Sequence, residues 1–226
     1  CKLAHSNFVN ANTGVDSALG SSFAVPSDHS IFTSVIRRLK YHGNEVLIHE
    51  EPWRGIAYQL WDSSDVFCRW AADPCRSSSW KGKRVVELGS GLGLAGILLA
   101  CLGARVLCTD LPAALPLLRN NAATNRPGIS RAGGELDVSA LDWTSDDHLR
   151  AVLSRWGEAD AVIACDVVYE QSLFAPLLAT IATLSRGGAE VLLTQKKRFK
   201  CEARFWRAAR RRFELEEAYH EDAVGG

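Results

Sequence analysis

The chain contains no methionine in 226 residues, and its seven cysteines, at 1, 68, 75, 101, 108, 165 and 201, form no CxxC pair. That spacing excludes a zinc ribbon or finger, and the odd count argues against a closed disulfide framework. Several of these cysteines lie in apolar runs, where a free thiol behaves as a small hydrophobe. A reducing compartment follows as the expectation: the cytoplasm, with the nucleus as the alternative. Excess charge is also missing, since 26 basic and 26 acidic residues cancel. A protein built mainly to grip a phosphate backbone would be basic, so nucleic acid is not the expected partner. No apolar run is long enough to span a membrane, and the first residues lack the basic-then-apolar layout of a signal peptide. The six histidines show no ligand spacing, and no metal is expected. With Cys1 first and Gly225-Gly226 last, both ends read as truncated.

At 47% hydrophobic and 23% charged, the chain fits one globular α/β domain over residues 1–226. Residues 1–30 are polar and show no steady period, so a loose or partly helical lead-in is expected there; residues 1–40 stay poorly defined. Ile31 to Leu39 reads as a short amphipathic element. Alternation over 45–49, a Pro/Gly connection, and 56–60 predict a β-hairpin. Ser63 or Ser64 is a candidate cap for a helix over 65–72. From residue 84 strands and helices alternate. Strands are expected near 84–88, 104–109, 134–141, 160–165, 188–194 and 213–219. Helices are expected near 93–102, 113–125, 146–156, 171–185 and 201–212. This alternation implies a mostly parallel sheet covered on both faces, with a ligand crevice at the carboxyl ends of its central strands.

Residues 84–93, Arg-Val-Val-Glu-Leu-Gly-Ser-Gly-Leu-Gly, carry the strongest signal. An apolar strand runs into a glycine turn, Gly89, Ser90, Gly91 and Gly93, and a helix-forming stretch follows. Glycines there let a ligand approach the backbone, and the helix start aims its N–H groups at that ligand. A second strand ends in Asp110, suitably spaced to grip a ribose. Gly91, Gly93 and Gly96 satisfy GxGxxG, which by itself fits a nicotinamide dinucleotide equally well. Glu87 separates the two. A carboxylate facing the turn would repel a pyrophosphate, whereas S-adenosylmethionine carries cationic groups and no phosphate. The plainer reading is that Glu87 caps or pairs locally. Asp166 and Tyr169 follow the fourth strand; a helical turn there would face both to one opening, and Asp166 could equally cap a helix.

Leu60-Trp61-Asp62-Ser63, Glu87-Leu-Gly-Ser-Gly-Leu-Gly93, Leu141-Asp142-Trp143 and Asp166-Val-Val-Tyr169 occur in the order that resembles methyltransferase family 16. The resemblance covers about residues 45–215. It implies a Rossmann-like seven-strand class I methyltransferase sheet, S-adenosylmethionine as cofactor, and a protein lysine as acceptor. The substrates it implies are folded proteins of the chaperone, ATPase or translation-factor class. By the same resemblance, Trp61 and the Gly89–Gly93 loop contact the methionine and ribose portions and Asp110 the ribose hydroxyls. Asp142 and Trp143 border the adenine, Cys165 sits beside the cofactor, and Asp166 and Tyr169 place the substrate. The family's last antiparallel strand, due after about residue 219, is absent or barely begun.

Methyl transfer to lysine needs a neutral amine, and a free lysine with pKa about 10.4 is protonated near neutrality. Burial lowers that value, while Asp166 alone would raise it. Orientation and proximity could supply up to ~7–11 kcal/mol of the acceleration. Methylation of RNA or a small molecule, a nicotinamide-dependent oxidoreductase, and a non-catalytic cofactor-holding module remain the other readings. The absence of an Asn-Pro-Pro-Tyr element after strand four counts against the first of these, and Glu87 and the Asp166–Tyr169 element against the oxidoreductase. Lys196 to Arg198, Lys200 and the arginines from 204 to 212 form a basic stripe, either a solvated face or a dock for an acidic partner.

Overall fold

The computed structural model describes residues 2–8, 34–198 and 201–217. Among these residues nine strands and seven α-helices run in the order β1 (Lys2–Phe8), β2 (Val35–Tyr41), β3 (Asn44–Glu50), α1 (Asp62–Ala71), α2 (Pro74–Ser77), β4 (Arg84–Leu88), α3 (Leu94–Cys101), β5 (Arg105–Asp110), α4 (Leu115–Ala132), β6 (Glu135–Ala140), α5 (Asp146–Trp156), β7 (Ala161–Cys165), α6 (Phe174–Leu184), β8 (Glu190–Lys196), α7 (Glu202–Ala209) and β9 (Glu214–Glu217). Seven of the strands form one sheet in the order β6-β5-β4-β7-β8-β1-β9, every pair parallel.

The α/β expectation therefore holds, with the strands from β4 onward close to their expected positions. β4, β7 and β8 are short and buried along nearly their whole length, as befits strands covered on both faces. One buried layer joins β4 and β5 to α1, α3, α4 and the hairpin; the other joins β4, β7 and β8 to α5, α6 and α7. Helix α3, Leu-Ala-Gly-Ile-Leu-Leu-Ala-Cys, has all eight residues buried, which fixes its start behind the glycine loop. Order reverses at β4, whose neighbours are β5 and β7, so a crevice opens at the carboxyl ends of these strands.

Four expectations need correcting. Lys2–Phe8 is a strand, not a loose lead-in, and it lies between β8 and β9. Its ladder partners are almost two hundred residues away, so no local pattern announces it. The β-hairpin is β2 with β3, not 45–49 with 56–60. It turns at His42 and Gly43, both with positive φ, as tight two-residue hairpin turns require. Residues 52–58 instead form two short 3-10 turns closed by a Glu51 N–H to Tyr58 carbonyl bond of 2.9 Å. Helix α1 begins at Asp62 with Trp61 preceding it, and neither Ser63 nor Ser64 caps it. Helix α4 continues past 125 to Ala132 through Pro127, where burial of Ile129 outweighs the lost hydrogen bond, and Gly133 ends it at φ 72°. The antiparallel strand expected after about residue 219 falls outside the described residues, as do residues 9–33 and Lys200.

Helix α4 also fixes the hairpin. Asn125 donates its amide to the Leu47 carbonyl at 2.7 Å and accepts the Leu47 N–H at 2.9 Å. One turn earlier, Asn121 accepts the His49 N–H at 2.8 Å and donates to the carbonyls of His49 and Leu92. Two side chains thus stand in for a neighbouring strand along β3 and tie it to the glycine loop. Among the described residues no helix is long and apolar enough to cross a membrane.

Candidate active site

The Gly89–Gly93 loop is held by β5. Ser90 donates its N–H to the Thr109 carbonyl at 2.9 Å and accepts the Thr109 N–H on Oγ at 3.0 Å; Thr109 Oγ1 donates to the Glu87 carbonyl at 2.6 Å. Gly89 and Gly93 both sit at positive φ, 62° and 83°. A Cβ on Gly89 would approach Val167 Cγ1 at 2.9 Å and Trp143 at 3.3 Å, so a glycine is needed for conformation and for space.

Glu87 does not face the cavity. It is 2% exposed and turned behind the loop, where its Oε2 accepts the Gly96 N–H of α3 at 3.1 Å and the Cys108 thiol at 3.3 Å. Burial pushes its pKa up to about 7. The local-pairing reading is therefore the one this geometry matches, and the expected repelling wall is absent. The consequence for ligand choice survives by a different route. A carboxyl group already lies against the first turn of α3, and the Gly91 N–H is taken by Asp110 Oδ2 at 2.7 Å. The donors that would cradle a pyrophosphate are thus engaged by carboxylates.

A cavity of about 470 Å³ lies beyond the loop, a size suited to a small organic ligand. Trp61, Gly89, Gly91, Asp110, Asp142, Trp143, Cys165, Asp166 and Tyr169 line it, so nine of the residues singled out from sequence meet in one space. Glu87, Ser90 and Gly93 are not among its lining residues; they build the loop from behind. Asp110 is half-buried, desolvation of its carboxyl raises its pKa, and each oxygen accepts one backbone N–H, from Gly91 and from Leu111. Both oxygens keep a lone pair for a ribose hydroxyl. Asp142 Oδ1 is bound by the hydroxyl and N–H of Thr144, which hold its pKa below the usual carboxylate range. Trp61 donates Nε1 to the Ile56 carbonyl at 2.8 Å, and Glu50 fixes the preceding segment by accepting the Leu60 N–H. The Cys165 thiol is pushed up by burial, so it is a packing wall and not a nucleophile. This set, with a carboxylate that keeps two lone pairs for hydroxyls, an indole and, among the described residues, no cation at the loop, fits the cofactor expected from sequence.

Asp166 sits at φ 55° just past β7; no helical turn forms at 166–169, and Asp166 caps no helix. Its carboxylate accepts the Ser63 N–H at 3.3 Å, the Lys196 N–H at 3.2 Å and Arg198 Nη1 at 2.6 Å. The loop is fastened by Gln195, whose Oε1 accepts the Val168 N–H at 3.1 Å. Tyr169 stays 39% exposed at the rim. Gln195, Arg198, Ile56 and Leu173 also line the cavity, and the residue reading missed them as site members. Arg198 counted only as part of a basic stripe, although its place just beyond the carboxyl end of β8 was a usable signal.

The lysine methyltransferase family profile matches residues 40–212. Protein N-lysine methyltransferase METTL21A of Danio rerio is 36% identical over 174 residues, 76% of each chain. EEF1A lysine methyltransferase 3 of Mus musculus is 32% identical over 206 residues, 88% of this chain and 84% of its own. A SAM-dependent methyltransferase from Agrobacterium tumefaciens shares the fold at TM-score 0.52 and 17% identity, over 75% of this chain and 55% of that one. The chain belongs to the lysine methyltransferase family and is an S-adenosylmethionine-dependent enzyme acting on protein lysine.

Proposed function

We propose that the acceptor is a lysine of a folded translation factor, elongation factor 1A being the nearest candidate, and that the amine enters between Asp166 and Tyr169. The choice of a translation factor over a chaperone or another ATPase is supported by the similarity to EEF1A lysine methyltransferase 3, which covers most of both chains. The observation that carries the site reading is that Gly89, Gly91, Asp110 and Trp143, expected at the cofactor, line one cavity together with Asp166 and Tyr169.

The cofactor would be held by Gly89 and Gly91 against its backbone, by Asp110 at the ribose, and by Trp61, Asp142, Trp143 and Cys165 around its remaining surface. When bound it would supply an electrophilic methyl carbon on a sulfonium, with sulfur as the leaving atom, for the lone pair of the acceptor nitrogen. Asp166 and the Tyr169 hydroxyl orient the nitrogen, and the apolar wall of Leu141, Val167 and Leu173 excludes water. Burial raises the Tyr169 pKa, so the hydroxyl keeps its proton and offers both a donor and a lone pair. We place the enzyme in the cytoplasm, a reading supported by the six described cysteines being free.

Tritiated S-adenosylmethionine is the test. The wild-type protein labels unmethylated elongation factor 1A, and Asp166→Ala and Tyr169→Phe each lower turnover by about 100-fold while calorimetry shows S-adenosylhomocysteine bound as before. Label in RNA alone, no label anywhere despite cofactor binding, or full turnover in both variants overturns the proposal.

A further inference from the structure

The Asp166 side chain is 4% exposed and pairs with Arg198, whose Nη1 lies 2.6 Å from Oδ1. The guanidinium carbon also stands 4.8 Å from the centre of the Trp61 ring, so an aromatic face and a carboxylate hold it together in the wall of the cavity. The backbone N–H of Arg198 is anchored in turn by Glu202 Oε1 at 2.8 Å. The pair meets where the acceptor amine would enter.

A lone buried carboxylate there would work against the chemistry. It would bind the incoming ammonium and keep it protonated, because an opposite charge within hydrogen-bonding reach favours the charged form. A fixed cation beside that carboxylate cancels the field and repels the second proton-bearing cation. We propose that Arg198 is a positioning residue that neutralises Asp166, so that the target lysine sheds its proton to solvent and is held as a neutral amine. Asp166 keeps its lone pairs for orienting the nitrogen and ceases to act as an ammonium trap. The assignment rests on lysine methylation at this site, as proposed above.

The surrounding charges leave this balance to Arg198. Lys196 Nζ is engaged by Asp62 Oδ2 at 2.6 Å, a pair that is itself neutral. Glu202 accepts the Arg198 backbone N–H. The Cys165 thiol beside Asp166 is kept protonated by burial, with Glu87 and Asp166 adding to that push. Tyr169 feels Asp110 and Glu170, which favour its protonated, neutral form. Among the described residues, Arg198 is the one cation lining the cavity, and the other groups named here are neutral, paired or negative.

Two measurements test the assignment on wild type, Arg198→Gln and Arg198→Lys. The first is calorimetric titration of butylammonium into the S-adenosylhomocysteine-loaded protein, which needs no turnover. Arg198→Gln binds this probe about 10- to 100-fold more tightly than wild type, and Arg198→Lys returns to the wild-type value. The second is the pH dependence of kcat, which reports ionisation within the enzyme–substrate complex, with saturating elongation factor 1A or with the protein that wild type labels in a desalted cell extract. The rising limb moves up by about one to two pH units in Arg198→Gln, and Arg198→Lys restores it. Unchanged butylammonium affinity, or an unmoved limb in an Arg198→Gln protein that still binds S-adenosylhomocysteine, overturns the assignment. Faster turnover of Arg198→Gln at neutral pH with an unmoved limb does so as well, since it makes Arg198 a plug. Wild-type protein that methylates no protein at all removes this assignment together with the reading beneath it, whereas normal wild-type transfer with an unmoved limb removes the assignment alone.

Discussion

The backbone N–H of Gly96 donates to Glu87 Oε2 at 3.1 Å, and a Cβ on Gly96 would stand 2.6 Å from that oxygen and 2.3 Å from Cys108 Sγ. The last glycine of the fingerprint therefore serves an internal carboxylate rather than a ligand. A side chain at position 96 would push Glu87 off the helix start and reopen a site for an anion. Alanine would ordinarily help a helix by about 1 kcal/mol over glycine, but the overlap here is with a buried acid and a strand side chain.

Stability should fall as pH rises through the range in which Glu87 ionises. Burial raises its pKa from 4.5 to about 7, so the folded state binds the extra proton. For an acid shifted in that direction the native state is favoured below about 4.5, and the advantage is lost progressively up to about 7. A displacement of that size is worth on the order of 3 kcal/mol. Glu87→Gln keeps an oxygen for the Gly96 N–H and removes the charge. Urea unfolding should show the variant to be the more stable at pH 8, with the gap closing towards pH 5; parallel profiles would remove this role for Glu87.

Most of the sheet was legible in the sequence because its strands are short apolar runs ending in residues that recur at ligand crevices. Asp110, Asp142, Cys165 and Asp166 each stand at or just past the carboxyl end of a strand, and periodicity alone locates those ends. The N-terminal strand was not legible, since both its ladders come from distant segments. Nor was the hairpin, because His42-Gly43 lacks the usual Asn-Gly signature and the Pro52–Gly55 stretch offered a more familiar turn. Glu87 shows a subtler limit. A residue type before a glycine turn fixes the charge available there, whereas the direction it points depends on whether α3 and β5 leave room behind the loop. Arg198 was obscured by its neighbours, since a run of cations reads as solvated surface until a buried carboxylate is found opposite one of them.

The asparagine pair on α4 should matter more for the hairpin than any apolar contact on its edge. Asn125→Leu leaves the N–H and the carbonyl of Leu47 without their side-chain partners, at a cost of about 2 kcal/mol. Amide exchange at Leu47 and His49 should accelerate in step with the lost stability. Unchanged protection at both amides would show that β3 does not depend on this mimicry.

Cofactor affinity should depend on Asp110 in its charged form. Each of its oxygens already accepts one backbone N–H, from Gly91 and from Leu111, and each can accept one ribose hydroxyl besides. Burial raises its pKa above the ordinary 3.8. Its protonation, and with it the loss of an acceptor, therefore sets in at a higher pH than for an exposed aspartate. Affinity for S-adenosylhomocysteine should weaken as pH falls through that raised value. Asp110→Asn should bind about 10-fold more weakly near neutrality, because a hydrogen bond to a charged acceptor is worth about 1.5–3 kcal/mol. The same variant should lose the acid-side pH dependence, since its amide does not titrate. Calorimetry of S-adenosylhomocysteine between pH 4.5 and pH 8 reads both effects. An Asp110→Asn protein that binds as tightly as wild type would place the ribose elsewhere in the cavity.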